Sequence, residues 1–141
     1  MLAAPILALL VALPGSSNRF GLSEPPPRID GAVRVATYNL LNLFGEGTHD
    51  VVVEDARREE LGMVATSDAR CVSIAEAIIA LDADVVCVQE LESLACLNWF
   101  NDRYLRDQRG DLLYPYTAAE DAGSYRDVEQ GVLSRIPITG M

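Results

Sequence analysis

The sequence has 141 residues, half of them hydrophobic, which suffices for one domain with its own core and leaves too little chain for two. Eleven Lys and Arg stand against 21 Asp and Glu, a formal charge of −10. That balance excludes wrapping a polyanion by general counterion release, so a nucleic acid could be met only through local basic groups or bound cations.

In chain order, the first apolar stretch runs from Leu2 to Leu13, is interrupted by Pro5 and closes at Pro14-Gly15. It is shorter than the roughly 20 residues of a membrane span. Its length suits a signal-peptide core, with Gly15 and Ser17 as small residues before a cleavage at Asn18. The missing basic residue at the start fits a disordered leader or a mis-set start equally, so residues 1–17 carry both readings. The first implies secretion or a periplasmic location, the second a cytoplasmic one. Residues 18–28 read as a linker, because Pro25-Pro26-Pro27 favours an extended, solvated backbone. The domain is expected from Ile29 to Met141.

Val33 to Asn39 is rich in β-branched and aromatic residues and predicts a strand with Val33, Val35, Thr37 and Asn39 on one face. A loop follows through Asn42, Gly45, Gly47 and His49, and Arg57 to Leu61 suggests a short helix. From Ser67 or Asp68, the positions Cys71, Ile74, Ala75, Ile78 and Ile79 repeat with helical spacing and predict an amphipathic helix ending near Leu81. Asp84 to Glu90 is a short, continuously apolar run, the pattern of a strand covered on both faces. Strand, helix and buried strand together predict a β-α-β crossover. A second helix is expected from Ser93 to Arg106, with Leu97, Phe100, Tyr104 and Leu105 on one side and Trp99 and Tyr104 as packing residues. Tyr114 to Ala119 and Gly131 to Arg135 predict two more strands, joined by the polar loop from Glu120 to Glu129.

Cys71, Cys87 and Cys96 form no C-x-x-C pair, and with the single His49 they make no zinc set. Cys87 lies in the apolar run Val85-Val86-Cys87-Val88 and is expected to pack as a small hydrophobe. A Cys71–Cys96 disulfide requires an oxidising compartment, and the sequence leaves their state open.

Asn39 and Glu90 each close a predicted strand, and in an open α/β sheet that end is where ligands collect. A carboxylate there can hold a hard cation through oxygen, and a neighbouring carboxamide can position a phosphate or a water. The wording around them is more specific. Val35 to Phe44, containing Thr37-Tyr38-Asn39, resembles the opening strand of the endonuclease/exonuclease/phosphatase superfamily. Asp82-Ala83-Asp84-Val85-Val86-Cys87-Val88-Gln89-Glu90 is similar to that family's strand ending in Gln-Glu, with a helix led by Arg70 between the two. Tyr114-Pro115-Tyr116 and Gly131 to Ile138, with its Leu133-Ser134-Arg135 word, look like two further segments in the right order.

The resemblance implies the N-terminal part of a four-layer α/β sandwich with mixed sheets. It also implies hydrolysis of a phosphodiester, in nucleic acid or another substrate, with Mg²⁺ or Mn²⁺ as cofactor. Glu90 then matches the metal-ligand glutamate, and Asn39 the asparagine beside metal and scissile phosphate. Ser134 and Arg135 match a structural strand, His49 falls in a variable loop, and Asp127 and Gln130 have no assignable role. The implied mechanism is in-line attack of water with the ion as Lewis acid and a His–Asp pair taking the proton.

The family's catalytic His, its Asp-x-Asn word and its terminal Ser-Asp-His word follow the Leu-Ser-Arg strand, whereas this sequence stops at Met141. The chain is therefore expected to be incomplete and inactive alone, to need the C-terminal half of the domain as partner, and to leave an apolar sheet face partly exposed. Lipid-directed and inositol-phosphate members share these early words. A non-catalytic remnant acting as a binding fragment is a second reading. An unrelated doubly wound domain is a third, weakened because no Gly-rich phosphate loop follows the first strand.

Overall fold

Each predicted strand and both main helices form in the computed structural model, which describes residues 25–46, 64–121, 123 and 128–139. The elements are β1 (Val35–Leu43), α1 (Asp68–Leu81), β2 (Val85–Leu91), α2 (Leu94–Tyr104), β3 (Tyr116–Glu120) and β4 (Glu129–Ser134). They build an α/β structure, a mixed sheet in the order β1-β2-β4-β3 with two helices. β1 and β2 run parallel, joined through α1, while β4 is antiparallel to both β2 and β3. The expected helix at 57–61, the leader, His49 and Asp127 lie outside the described residues. Among the described residues, no helix is long and apolar enough to cross a membrane.

α1 buries Cys71, Ile74, Ala75 and Ile78, while Ile79 stays exposed, so the apolar stripe is one position narrower than its spacing predicts. The helix ends where Asp82 turns left-handed (φ 45°) and donates its N–H to Ile79 O. α2 starts at Ser93, whose Oγ accepts from the Cys96 N–H at 3.1 Å, an N-cap that satisfies one orphan amide. It ends at Tyr104, two residues before the expected Arg106, because Leu105 leaves the helical region (φ −109°, ψ 62°). Leu97, Phe100 and Leu105 are fully buried against Val86, Val88, Leu91 and Leu133 of the sheet and Ile78 of α1 in one core cluster. All three cysteines are free thiols.

Gly131 of β4 lies against Leu97 of α2. A Cβ there would stand 2.9 Å from Leu97 Cδ2, 3.1 Å from the Ala118 carbonyl and 3.2 Å from Leu91 Cδ2. Gly131→Val should therefore destabilise the fold by about 1–3 kcal/mol through overpacking, read as a lower urea midpoint. An unchanged midpoint would show that α2 can shift away from the sheet.

The expectation that β2 is covered on both faces is corrected by the structure. Val86 and Val88 are completely buried beneath the helices, but Val85, Cys87 and Gln89 are only half-buried on the opposite face. Both helices pack on one side, and no described element covers the other. The registers place three level rows on that open face: Val35-Val85-Ser134-Tyr116, then Thr37-Cys87-Val132-Ala118, then Asn39-Gln89-Gln130-Glu120. The first two are mainly apolar or small, and the third is wholly polar.

At the end of the sheet where β1 and β2 begin, three guanidinium groups converge on two carboxylates. Arg28 Nε donates to Asp82 at 2.7 Å and its Nη1 to Asp84 at 3.0 Å, Arg34 reaches Asp82 at 3.0 Å, and Arg135 reaches Asp82 at 3.1 Å. Arg34 also donates to the Pro26 carbonyl at 2.6 Å, so the proline-rich segment is fastened to the sheet from Pro26 onward. Arg28, foremost, and Arg135 hold the Asp82 carboxyl well below the usual carboxylate range. Asp84 is also lowered, chiefly by the Arg34 backbone N–H and then by Arg28.

Groups with depressed folded pKa values contribute stability that is present above the unfolded carboxylate range and is lost as pH falls below about 4. Melting temperature should thus fall between pH 4 and pH 2, and more steeply in the native chain than in an Asp82→Asn, Asp84→Asn variant. Equal slopes would show that the network is too solvent-screened to matter.

Candidate functional site

The regular pairing of β1 with β2 ends at Asn39↔Gln89 and resumes at Leu43↔Leu91, so both strands carry an irregularity at the same level. Three non-glycine residues there have left-handed backbones: Leu41 (φ 53°) and Asn42 (φ 61°) on β1, and Glu90 (φ 61°) on β2. Such conformations cost about 1–3 kcal/mol each and persist only where the surroundings enforce them, most often at functional sites.

The bulges follow from the hydrophobic pattern. Leu40 and Leu43, and likewise Val88 and Leu91, belong to the buried core beneath the helices although each pair is three positions apart. Strict alternation would send one member of each pair to the open face, and the extra residue restores both to the core. On β2 this takes Glu90 out of the alternation that would bury it under the helices, and it is half-buried.

Asn39 is exposed on the open face, and its Oδ1 accepts the Leu41 N–H at 2.7 Å. It lies four residues before the end of β1, not at the end as its sequence position suggests, because the strand continues past the bulge to Leu43. In the same row, Gln89 Nε2 donates to Thr37 Oγ1 at 3.0 Å and to the Cys87 carbonyl at 3.2 Å, both in the row below, tying β2 to β1. The Asn39 register partner is Gln89, and Glu90 is the next residue, so the two predicted site residues are brought to one end of one strand pair. Gln130 and Glu120 extend the same row on β4 and β3. A cavity of about 370 Å³ lies beneath them over Cys87, Ala118 and Val132, with Ile138 in its lining.

The segment after Asn39 is held from several directions. Arg70 of α1 donates through Nη2 to the Leu40 carbonyl at 2.6 Å and to that of Leu41, and through Nη1 to that of Asn42 at 3.5 Å. Phe44 exchanges hydrogen bonds with Thr66, and Gly45 N–H donates to Glu92 Oε2 at 3.1 Å. Arg70, Gln89 and the paired bulge are features the sequence signals only faintly. Arg70 is visible as the basic residue leading α1, while the bulges show only as apolar pairs spaced by three.

Ser134 is buried at the end of β4 and bonds the Ile136 backbone, and Arg135 joins the ion-pair network over the Tyr114 ring at 5.4 Å. That network sits at the other end of β2, roughly 20 Å from Glu90 by strand rise, so it takes no part in the site.

Among the described residues, no group of three His, Cys, Asp or Glu could hold a metal. Glu90 offers a single carboxylate. Mg²⁺ is commonly bound by one or two carboxylates with waters and substrate phosphate oxygens completing the shell, so Glu90 fits such an ion as one anchoring ligand. The Asn39 oxygen already accepts an amide proton, which makes Asn39 better suited to donate from Nδ2 than to ligate. The chain matches no protein-family model, and no curated protein or solved structure is significantly similar to it.

Proposed function

We propose that this chain is the N-terminal portion of a metal-dependent phosphodiester hydrolase of the endonuclease/exonuclease/phosphatase type, whose full domain is a four-layer α/β sandwich. The observation carrying the reading is the paired bulge at one end of the parallel strands, with Asn39 before it on β1 and Glu90 within it on β2. In this reading Glu90 anchors Mg²⁺ or Mn²⁺, and when bound the ion supplies Lewis-acid stabilisation of charge on the phosphoryl group. Asn39 Nδ2 donates to a phosphoryl oxygen, while its Oδ1 stays locked on the Leu41 amide. Strain held in the bulge keeps both groups oriented before substrate arrives.

The substrate is a phosphodiester, with nucleic acid ahead of a lipid or inositol phosphate, and an exported location accompanies the signal-peptide reading of residues 1–17. A non-catalytic binding fragment is the second reading, favoured by the open sheet face with its two apolar rows.

Hydrolysis of bis(p-nitrophenyl) phosphate by the natural gene product, purified from its source with Mg²⁺, tests the proposal. Turnover that stops with chelator is expected, with residues 1–141 alone at background. Absence of turnover with either Mg²⁺ or Mn²⁺, or turnover indifferent to chelator, would sink it. Supercoiled DNA, sphingomyelin and phosphoinositide compared in the same assay then separate the substrate classes.

A further inference from the structure

We infer that Arg70 is the positioning residue of this site, holding in place the β1 bulge that follows Asn39 and faces the irregularity at Glu90. Its guanidinium meets three successive carbonyls, those of Leu40, Leu41 and Asn42. Two of these belong to the left-handed residues that bend β1 out of register with β2.

Left-handed Leu and Asn in succession relax toward extended backbone unless something opposes it. The Asn39 side chain opposes it from the amide side through the Leu41 N–H, and Arg70 opposes it from the carbonyl side. The two clamps act on the same peptide segment, so releasing Arg70 also frees Asn39 Oδ1 from its amide and lets the carboxamide drift from Glu90. The planar fork of Arg spreads several donors in fixed directions, which a Lys ammonium on a flexible stem cannot reproduce.

The other ion-paired arginines serve different ends. Arg28, Arg34 and Arg135 meet Asp82, Arg103 meets Asp68, and Arg106 meets Asp102, whereas among the described residues Arg70 donates to backbone carbonyls.

Only the catalytic consequence rests on the hydrolase reading; the structural role is tested without it. In residues 1–141, amide hydrogen exchange at Leu41 should rise at least tenfold in Arg70→Gln, with β3 and β4 amides unchanged, and Arg70→Lys should fall between. Leu41→Gly, which makes the left-handed backbone permissible at an exposed position, should suppress much of the Arg70→Gln effect. Equal exchange at Leu41 in wild type, Arg70→Gln and Arg70→Lys would overturn the proposal, as would a uniform rise over the whole sheet in Arg70→Lys. In the natural gene product, Arg70→Gln should lower kcat tenfold or more with KM within about twofold, partly restored by Arg70→Lys. A wild type without turnover would remove the hydrolase reading, and the exchange data would still decide the role of Arg70.

Discussion

Glu90→Ala in the natural gene product is expected to reduce Mg²⁺-dependent hydrolysis by at least about 10²–10³-fold, the size of effect seen when one preorganised electrostatic group is removed. Glu90 is the left-handed residue of the β2 irregularity, the position to which the proposal gives the ion anchor. Glu90→Gln keeps the size and the left-handed backbone demand of the side chain but loses the charge. It should behave almost like alanine in turnover while folding as the native chain does. Mn²⁺ binding followed by electron paramagnetic resonance should weaken in parallel. Retained turnover in either variant would remove Glu90 from the site, and lost turnover with unaltered Mn²⁺ affinity would give Glu90 a role other than metal binding.

Phe100→Ala should cost about 3–5 kcal/mol, the usual range for deleting a buried aromatic ring. Phe100 is fully buried in the layer between sheet and helices, and its ring lies 5.4 Å from that of Tyr104 at a tilt of 32°. Its α2 neighbour Leu97 and the β2 residue Val88 belong to the same cluster, so the vacated volume is bounded by side chains fixed on two different elements. Against a typical total stability of about 5–15 kcal/mol this is a large fraction, seen as a sharply lower urea midpoint. A loss of less than about 1 kcal/mol would mean that α2 collapses into the space, and that the helix layer is far softer than its complete burial indicates.

The local elements were legible because short-range patterns encode them. Cys71, Ile74, Ala75 and Ile78 recur at the period of a helix, and Val86 and Val88 at that of a strand, and each group is buried where its period places it. Ser93 marks the start of α2 by the hydrogen bond its hydroxyl can accept. The α/β class follows from the order of these segments. The sandwich of four layers, the metal and the reaction came from resemblance and stand as proposals.

Other features depended on contacts across long stretches of chain. The exposure of Val85 and Cys87 turns on where both helices pack, which an apolar run cannot specify. Arg28 reads as part of a linker until its guanidinium meets Asp82 and Asp84, 54 and 56 positions away. The Gly131 requirement appears only with Leu97 and Leu91 against it.

The sequence by itself determined the helical and extended segments, most of the residues they bury and the two polar residues Asn39 and Glu90, since these depend on neighbours within a few positions. Only the tertiary structure decided the level of those residues in the sheet, the left-handed bulges between them and the clamp from Arg70. The reason is that strand register and backbone strain arise when separated segments compete for one core: Leu40 with Leu43, and Val88 with Leu91, enter the same buried layer only if an extra residue is forced out on each strand.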